Sequence, residues 1–192
     1  RKENLIIMNL YKFEKDEYLK MGALVNSKRP ELEAIAEQLH QRGYDNLFLT
    51  GVGGTTAEFT SMKKVVENHS SIPVYCVNAA ELMLEGNKQL SRNSIVITGS
   101  KSGDTKETVA VVNWCKERGI ETVAITKADT PLAAIADHVC LLDSSGVENT
   151  YLSFYYILLK LAELRGEFPD YAQFVQEMEH VHEGLVLVKE KF

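Results

Sequence analysis

Ser94-Ile95-Val96-Ile97-Thr98-Gly99-Ser100-Lys101-Ser102-Gly103-Asp104-Thr105 runs from an apolar stretch straight into a loop of serine, glycine and threonine. An amphipathic segment, 105–118, follows and stops at Gly119. A short apolar run without polar alternation is how a strand covered on both faces reads, the pattern of a parallel sheet. A strand feeding a helix through a tight loop is the first half of a βαβ unit. The sequence here is thus of α/β type.

Outward from it the same alternation repeats. Runs rich in Val, Ile, Leu and Phe at 46–50, 74–77, 121–125 and 138–142 read as four further strands. Helical patterns fall between them at 30–41, 55–69, 79–85 and 131–136, and another follows at 150–165. The first opens at Pro30, carries Leu32, Ile35, Ala36 and Leu39 on one stripe, and stops at Gly43. The sequence thus predicts an α/β fold: a three-layer, doubly wound, five-stranded parallel sheet with right-handed crossovers and a flavodoxin-like strand order. In such sheets ligands bind beyond the carboxyl ends of the strands, near the switch in strand order. Attention therefore goes to the loops after Thr50, Thr98 and Leu142.

The chain divides into an N-terminal segment with a helix (1–29), the α/β domain (30–166) and a C-terminal helix (167–192). That last helix aligns Tyr171, Phe174, Val175, Met178, His182 and Leu185 on one stripe, which a lone domain must cover. It is expected to pack on the domain, or to lead to a second domain or a second copy, an isologous homodimer being the commonest solution. Met8 is a candidate native start.

Composition sets the outer limits. The 192 residues are 45% hydrophobic and 25% charged, which is ordinary for a globular chain. Net charge is −6 and no Lys/Arg run exceeds two residues, so neither nucleic acid nor a membrane is an expected partner. Cys76, Cys115 and Cys140 sit singly among apolar residues, as free thiols do in a reducing cytoplasm, the expected compartment. No CxxC or HExxH spacing occurs, so no metal is expected.

The central loop carries the chemistry. Strand, loop and helix start together aim free backbone N–H groups and the positive helix end at one point, with three hydroxyls beside them. Ser100, Ser102 and Thr105 supply donors, and Gly103 permits close approach. Capping the helix would need one such residue, whereas four of five stand here, which favours an anion. A second loop, Gly51-Val52-Gly53-Gly54-Thr55-Thr56, brings backbone N–H groups and Thr55 toward a sugar or phosphate oxygen. It is no dinucleotide motif, because GxGxxG needs glycine where Thr56 stands and the second strand leads into Asn78 rather than an acid. The third loop, Asp143 to Thr150, contains Glu148 and a possible cap at Asn149 or Thr150.

Together these loops resemble the sugar isomerase (SIS) phosphosugar-binding family. The resemblance rests on Gly53-Gly54-Thr55, on Ser-x-Ser-Gly-x-Thr at 100–105, and on Thr130-Pro131-Leu132-Ala133 with Ala136-Asp137 and Gly146-Val147-Glu148. It covers 30–166 and is strongest for double-domain members, the isomerase half of glucosamine-6-phosphate synthase and above all the fructoselysine-6-phosphate deglycases. It implies a phosphate clamp of Ser100, Lys101 (backbone), Ser102, Gly103 and Thr105. It also implies sugar contacts from Gly53, Gly54, Thr55, Val147 and Asn149. The synthase pattern has Thr-Ser at Gly54-Thr55 and Gln at Lys101, so the Lys101 cation is a departure.

The implied ligand is a phosphorylated sugar or a fructosamine 6-phosphate, with no cofactor. The implied reaction is proton transfer at C1–C2 through an enediol or enaminol. Double-domain members place their catalytic glutamate in the second domain, so the chain is expected to be the N-terminal half of such an enzyme. Among Glu58, Glu81, Glu85 and Glu148, only Glu148 falls on a loop after a strand, which makes it the candidate base against the plainer reading of a helix-dipole partner. Two alternatives stand beside this: a single-domain isomerase acting as an oligomer, and a non-catalytic sugar-phosphate sensor.

Overall fold

A computed structural model describes residues 14–142 and 147–191, with backbone alone for 147–149. Five strands form the sheet: β1 Asn46–Gly51, β2 Val74–Asn78, β3 Ser94–Ser100, β4 Glu121–Thr126 and β5 His138–Leu141. All neighbours are parallel and the order is β2-β1-β3-β4-β5, the flavodoxin-like arrangement expected. The strand order therefore switches between β1 and β3.

Eight helices are described: α1 Lys15–Ser27, α2 Arg29–Arg42, α3 Gly54–His69, α4 Ala79–Glu85, α5 Lys106–Glu117, α6 Pro131–Ile135, α7 Val147–Leu164 and α8 Tyr171–Lys191. Strand alternation sorts the side chains into two cores. Leu47, Leu49, Ile95, Ile97, Val123 and Ile125 face α2, α3 and α7, whereas Phe48, Val96 and Ala124 face α4, α5 and α6. The helix α7 is buried nearly all round through Phe154, Tyr156, Ile157, Leu158 and Leu161. Each such side chain contributes about 1.5–3 kcal/mol on burial.

At the start of the strands, Asp137 ties β5 to β4. Its Oδ2 accepts from Thr122 N at 2.9 Å and from Thr122 Oγ1 at 2.6 Å. Asp137, one of the residues carrying the family resemblance, is thus structural. Beside it His138 Nε2 lies 2.6 Å from Glu121 Oε1.

One expectation is corrected. The last core helix begins at Val147, three residues before the expected 150, so Glu148 lies on the first helical turn rather than in a loop, and Asn149 and Thr150 do not occupy its cap. The stripe on α8 packs within the chain, one of the two outcomes expected for it, with Phe174 and Leu185 half-buried. Tyr171, Val175, Met178, His182 and Val186 are buried within the chain, with α1 packed along α8. Gly22 makes that contact possible, since a Cβ there would fall 2.5 Å from His182 Cγ. Asn26 completes it, accepting from Tyr156 OH at 2.7 Å and donating to the Met178 carbonyl at 3.3 Å.

Candidate functional site

A cavity of about 360 Å³ opens at the carboxyl ends of β1 and β3, where the strand order switches. It is lined by Val52 and Thr55 where β1 leads into α3, by Gly99, Ser100, Lys101, Ser102, Thr105 and Thr108 from the end of β3 to the first turn of α5, and by Lys127. That volume is within the range of small-molecule sites. A larger apolar groove of about 460 Å³ runs beside α3, α7 and α8 around His69, at the far end of α3. It lacks the convergence of donors found at the strand ends.

Both helices that begin at the cavity lack side-chain caps among the described residues. The N-cap of α3 is Gly53, at φ 58°, and that of α5 is Thr105, whose hydroxyl does not turn back onto the helix. The neighbouring helices α4 and α6 are capped, Asn78 Oδ1 accepting from Ala80 N at 2.9 Å and Thr130 Oγ1 from Ala133 N at 3.3 Å. First-turn N–H groups and the positive ends of α3 and α5 are thus left to face one cavity, the arrangement that binds anions.

The hydroxyls divide into two kinds. Ser100 is 6% exposed, because β3 runs two residues beyond its expected end and carries Ser100 into the sheet. Its Oγ accepts from Gly103 N at 3.0 Å and lies 3.0 Å from Thr105 Oγ1 and 3.4 Å from Ser102 Oγ. Ser100 therefore organises the loop from within. Ser102 is exposed and Thr105 half-buried, so these two present donors to the cavity. Gly103 is not in the lining; it holds the turn at φ 72° and spends its N–H on Ser100.

Of the expected site residues, the structure gathers Thr55, Ser100, Lys101, Ser102 and Thr105 around one cavity. Gly53 and Gly54 shape its rim without lining it. The side chains of Val147, Glu148 and Asn149 lie outside the described residues, as do Asp143–Gly146 and Met8. The residues missed were Val52, Gly99, Thr108 and Lys127. The last was findable from topology, since β4 lies next to β3 and its carboxyl end must open on the same side. Among the described residues no group of three or more His, Cys, Asp or Glu is placed to hold a metal ion.

The profile of the SIS domain matches residues 40–164. The chain belongs to the SIS domain family. Over 162 residues this SIS chain is 30% identical to glutamine–fructose-6-phosphate aminotransferase (isomerizing) of Pyrococcus horikoshii, covering 81% of this chain and 26% of that protein. Over 162 residues it is 28% identical to a fructosamine deglycase of Bacillus subtilis, covering 80% of this chain and 49% of the relative. The fold matches a Bacillus subtilis protein described as a candidate phosphosugar isomerase, with TM-score 0.75 and 26% identity over 85% of this chain and 51% of that one. The SIS chain thus spans between a quarter and a half of the length of these relatives.

Proposed function

We propose that this SIS domain grips the phosphate of a 6-phosphosugar, or of a fructosamine 6-phosphate, as part of an aldose–ketose isomerase or deglycase. The observation that carries the reading is the convergence of two uncapped helix starts and the Ser102 and Thr105 hydroxyls on one cavity at the strand switch. The phosphate itself does not react. Held there, it orients C1 and C2 of the open-chain sugar, so that remote binding energy serves positioning. A carboxylate then removes a proton at C1–C2, an enediol or enaminol forms, and the proton returns to the other carbon; from a fructosamine this leaves an imine at C1, which water hydrolyses to the aldose phosphate and the free amine. In this reading 30–166 is the phosphosugar domain and a glutamate outside the described side chains is the base, supplied by a second SIS domain or by Glu148. Homodimerisation and a cytoplasmic setting belong to the same proposal. Two relatives whose names concern fructosamine and fructose 6-phosphate support the substrate class.

The test is thermal unfolding with and without fructose 6-phosphate, with unphosphorylated fructose as control. A ligand at about 100 times its dissociation constant adds about 2.7 kcal/mol to the folded state. A shift seen with the phosphosugar alone, and lost in Ser102→Ala, supports the reading. A shift that survives Ser102→Ala sinks it.

A further inference from the structure

The cavity wall contains a cation that strand–loop–helix reasoning passes over. Lys127 is the first residue after β4 and lines the same cavity as Ser102 and Thr105. Its backbone is pinned to the serine loop on both sides. Thr126, immediately before it, donates its buried hydroxyl to the Ser100 carbonyl at 2.8 Å. Thr130 Oγ1 donates to the Lys127 carbonyl at 2.9 Å, and Leu132 N donates to the Gly103 carbonyl at 3.0 Å. The two loops form one unit, so Lys127 holds a fixed place relative to Ser102 and Thr105.

Among the described lining residues the charged side chains are Lys101 and Lys127, both cationic, in a chain of net charge −6. They differ in setting: Lys101 is exposed, whereas Lys127 is half-buried. A partly packed lysine stem leaves its ammonium fewer positions, so less side-chain freedom is lost when it meets an anion entering the same cavity. Hydroxyls and amide N–H groups neutralise no full charge. A lysine at this place adds a response to the second negative charge of a phosphomonoester, which it gains near pH 6.

We propose that Lys127 is a phosphate-contacting residue and that it sets the site to take the phosphomonoester as its dianion. The inference rests on reading the cavity as a phosphosugar site.

Titration calorimetry of the full chain with inorganic phosphate and with fructose 6-phosphate, at about pH 5 and about pH 7.5, tests it across the second ionisation. Wild type is expected to tighten as pH rises. Lys127→Met and Lys127→Gln are expected to bind roughly 10- to 100-fold more weakly and to lose most of the pH dependence, the scale of one charge-assisted hydrogen bond. Lys127→Arg should retain the pH dependence. Lys88→Met is the control for overall charge: Lys88 adjoins Gln89, whose carbonyl is held by Asn46 at the start of β1, the end of the sheet away from the cavity.

Binding by either neutral variant as tight and as pH-dependent as wild type overturns the role of Lys127. An equal loss in Lys88→Met also overturns it, as does wild-type binding that does not tighten with pH. If both ligands bind and Ser102→Ala abolishes binding while Lys127→Met does not, only this inference fails. If wild type binds neither ligand, or Ser102→Ala binds unchanged, the phosphosugar reading falls and takes this one with it.

Discussion

Gly103 and Thr130 meet so closely that a Cβ built on Gly103 would clash with Thr130 Cβ. The serine loop therefore rests directly on the N-cap of α6, and the contact leaves no room for any side chain at position 103. Gly103 also holds φ 72°, a left-handed conformation that L-residues adopt at a cost. Gly103→Ala is expected to lower stability by roughly 2–4 kcal/mol, combining conformational strain with overpacking. Urea unfolding measures this, and a loss below about 1 kcal/mol would mean the two loops are not locked together.

Ser100 and Ser102 are two positions apart and should fail differently. Ser100 is buried and accepts from Gly103 N, so Ser100→Ala leaves that N–H without its partner and should cost about 1–3 kcal/mol of stability. Ser102 is exposed, and Ser102→Ala should stay within about 0.5 kcal/mol of wild type while losing phosphosugar binding. Paired unfolding and binding measurements on the two variants separate loop organiser from ligand donor.

Glu167 makes the acid limb of stability testable. Its carboxylate is held down to about 2 by Arg165 and by the Ser70 and Ser71 hydroxyls. Arg165 Nε lies at 3.0 Å and Ser71 Oγ at 2.5 Å. A folded-state pKa below the unfolded value near 4.3 contributes stability that is fully present above that value and disappears as pH falls toward 2. Glu167→Gln should therefore be less stable than wild type by a constant margin above about pH 5, and the margin should close between about pH 4.5 and pH 2. Urea midpoints across that range check it; a margin that widens toward acid would contradict the assignment.

The thiols should label in a fixed order. Burial pushes Cys115 and Cys140 up to about 12, and both are inaccessible. Cys76 is only half-buried. Alkylation of the folded chain near neutral pH should modify Cys76 alone, with the other two reacting only in denaturant, as mass spectrometry of peptides would show.

Much of the fold was legible because a parallel sheet writes its strands as separate apolar runs. Each strand begins where its run begins, and α4 spans the expected residues. The misplacements have physical causes. The β3 ladder continues through Gly99 and Ser100 because they pair with Ile125 and Thr126, and polar residues at a strand end give no local sign of that. The stripe on α8 announced a buried face, but periodicity does not say what covers it, and α1 was the answer. Lys127 was readable from the strand order and not from its own surroundings. One lysine after one strand carries no pattern, and only the adjacency of β4 to β3 brings it to the cavity.

The bare starts of α3 and α5 have a consequence for how this domain can change. A good N-cap is worth about 1 kcal/mol against alanine and a few tenths against glycine, so with Gly53 as the N-cap of α3 the domain forgoes roughly 1 kcal/mol by keeping both helix ends open. Heat resistance alone would favour an acid such as Thr105→Asp, which would satisfy the first turn of α5 and place a negative charge where an anion must enter. Selection for thermal robustness and selection for ligand therefore pull position 105 in opposite directions. A library screened only for melting temperature should enrich caps there and return stable proteins with closed sites.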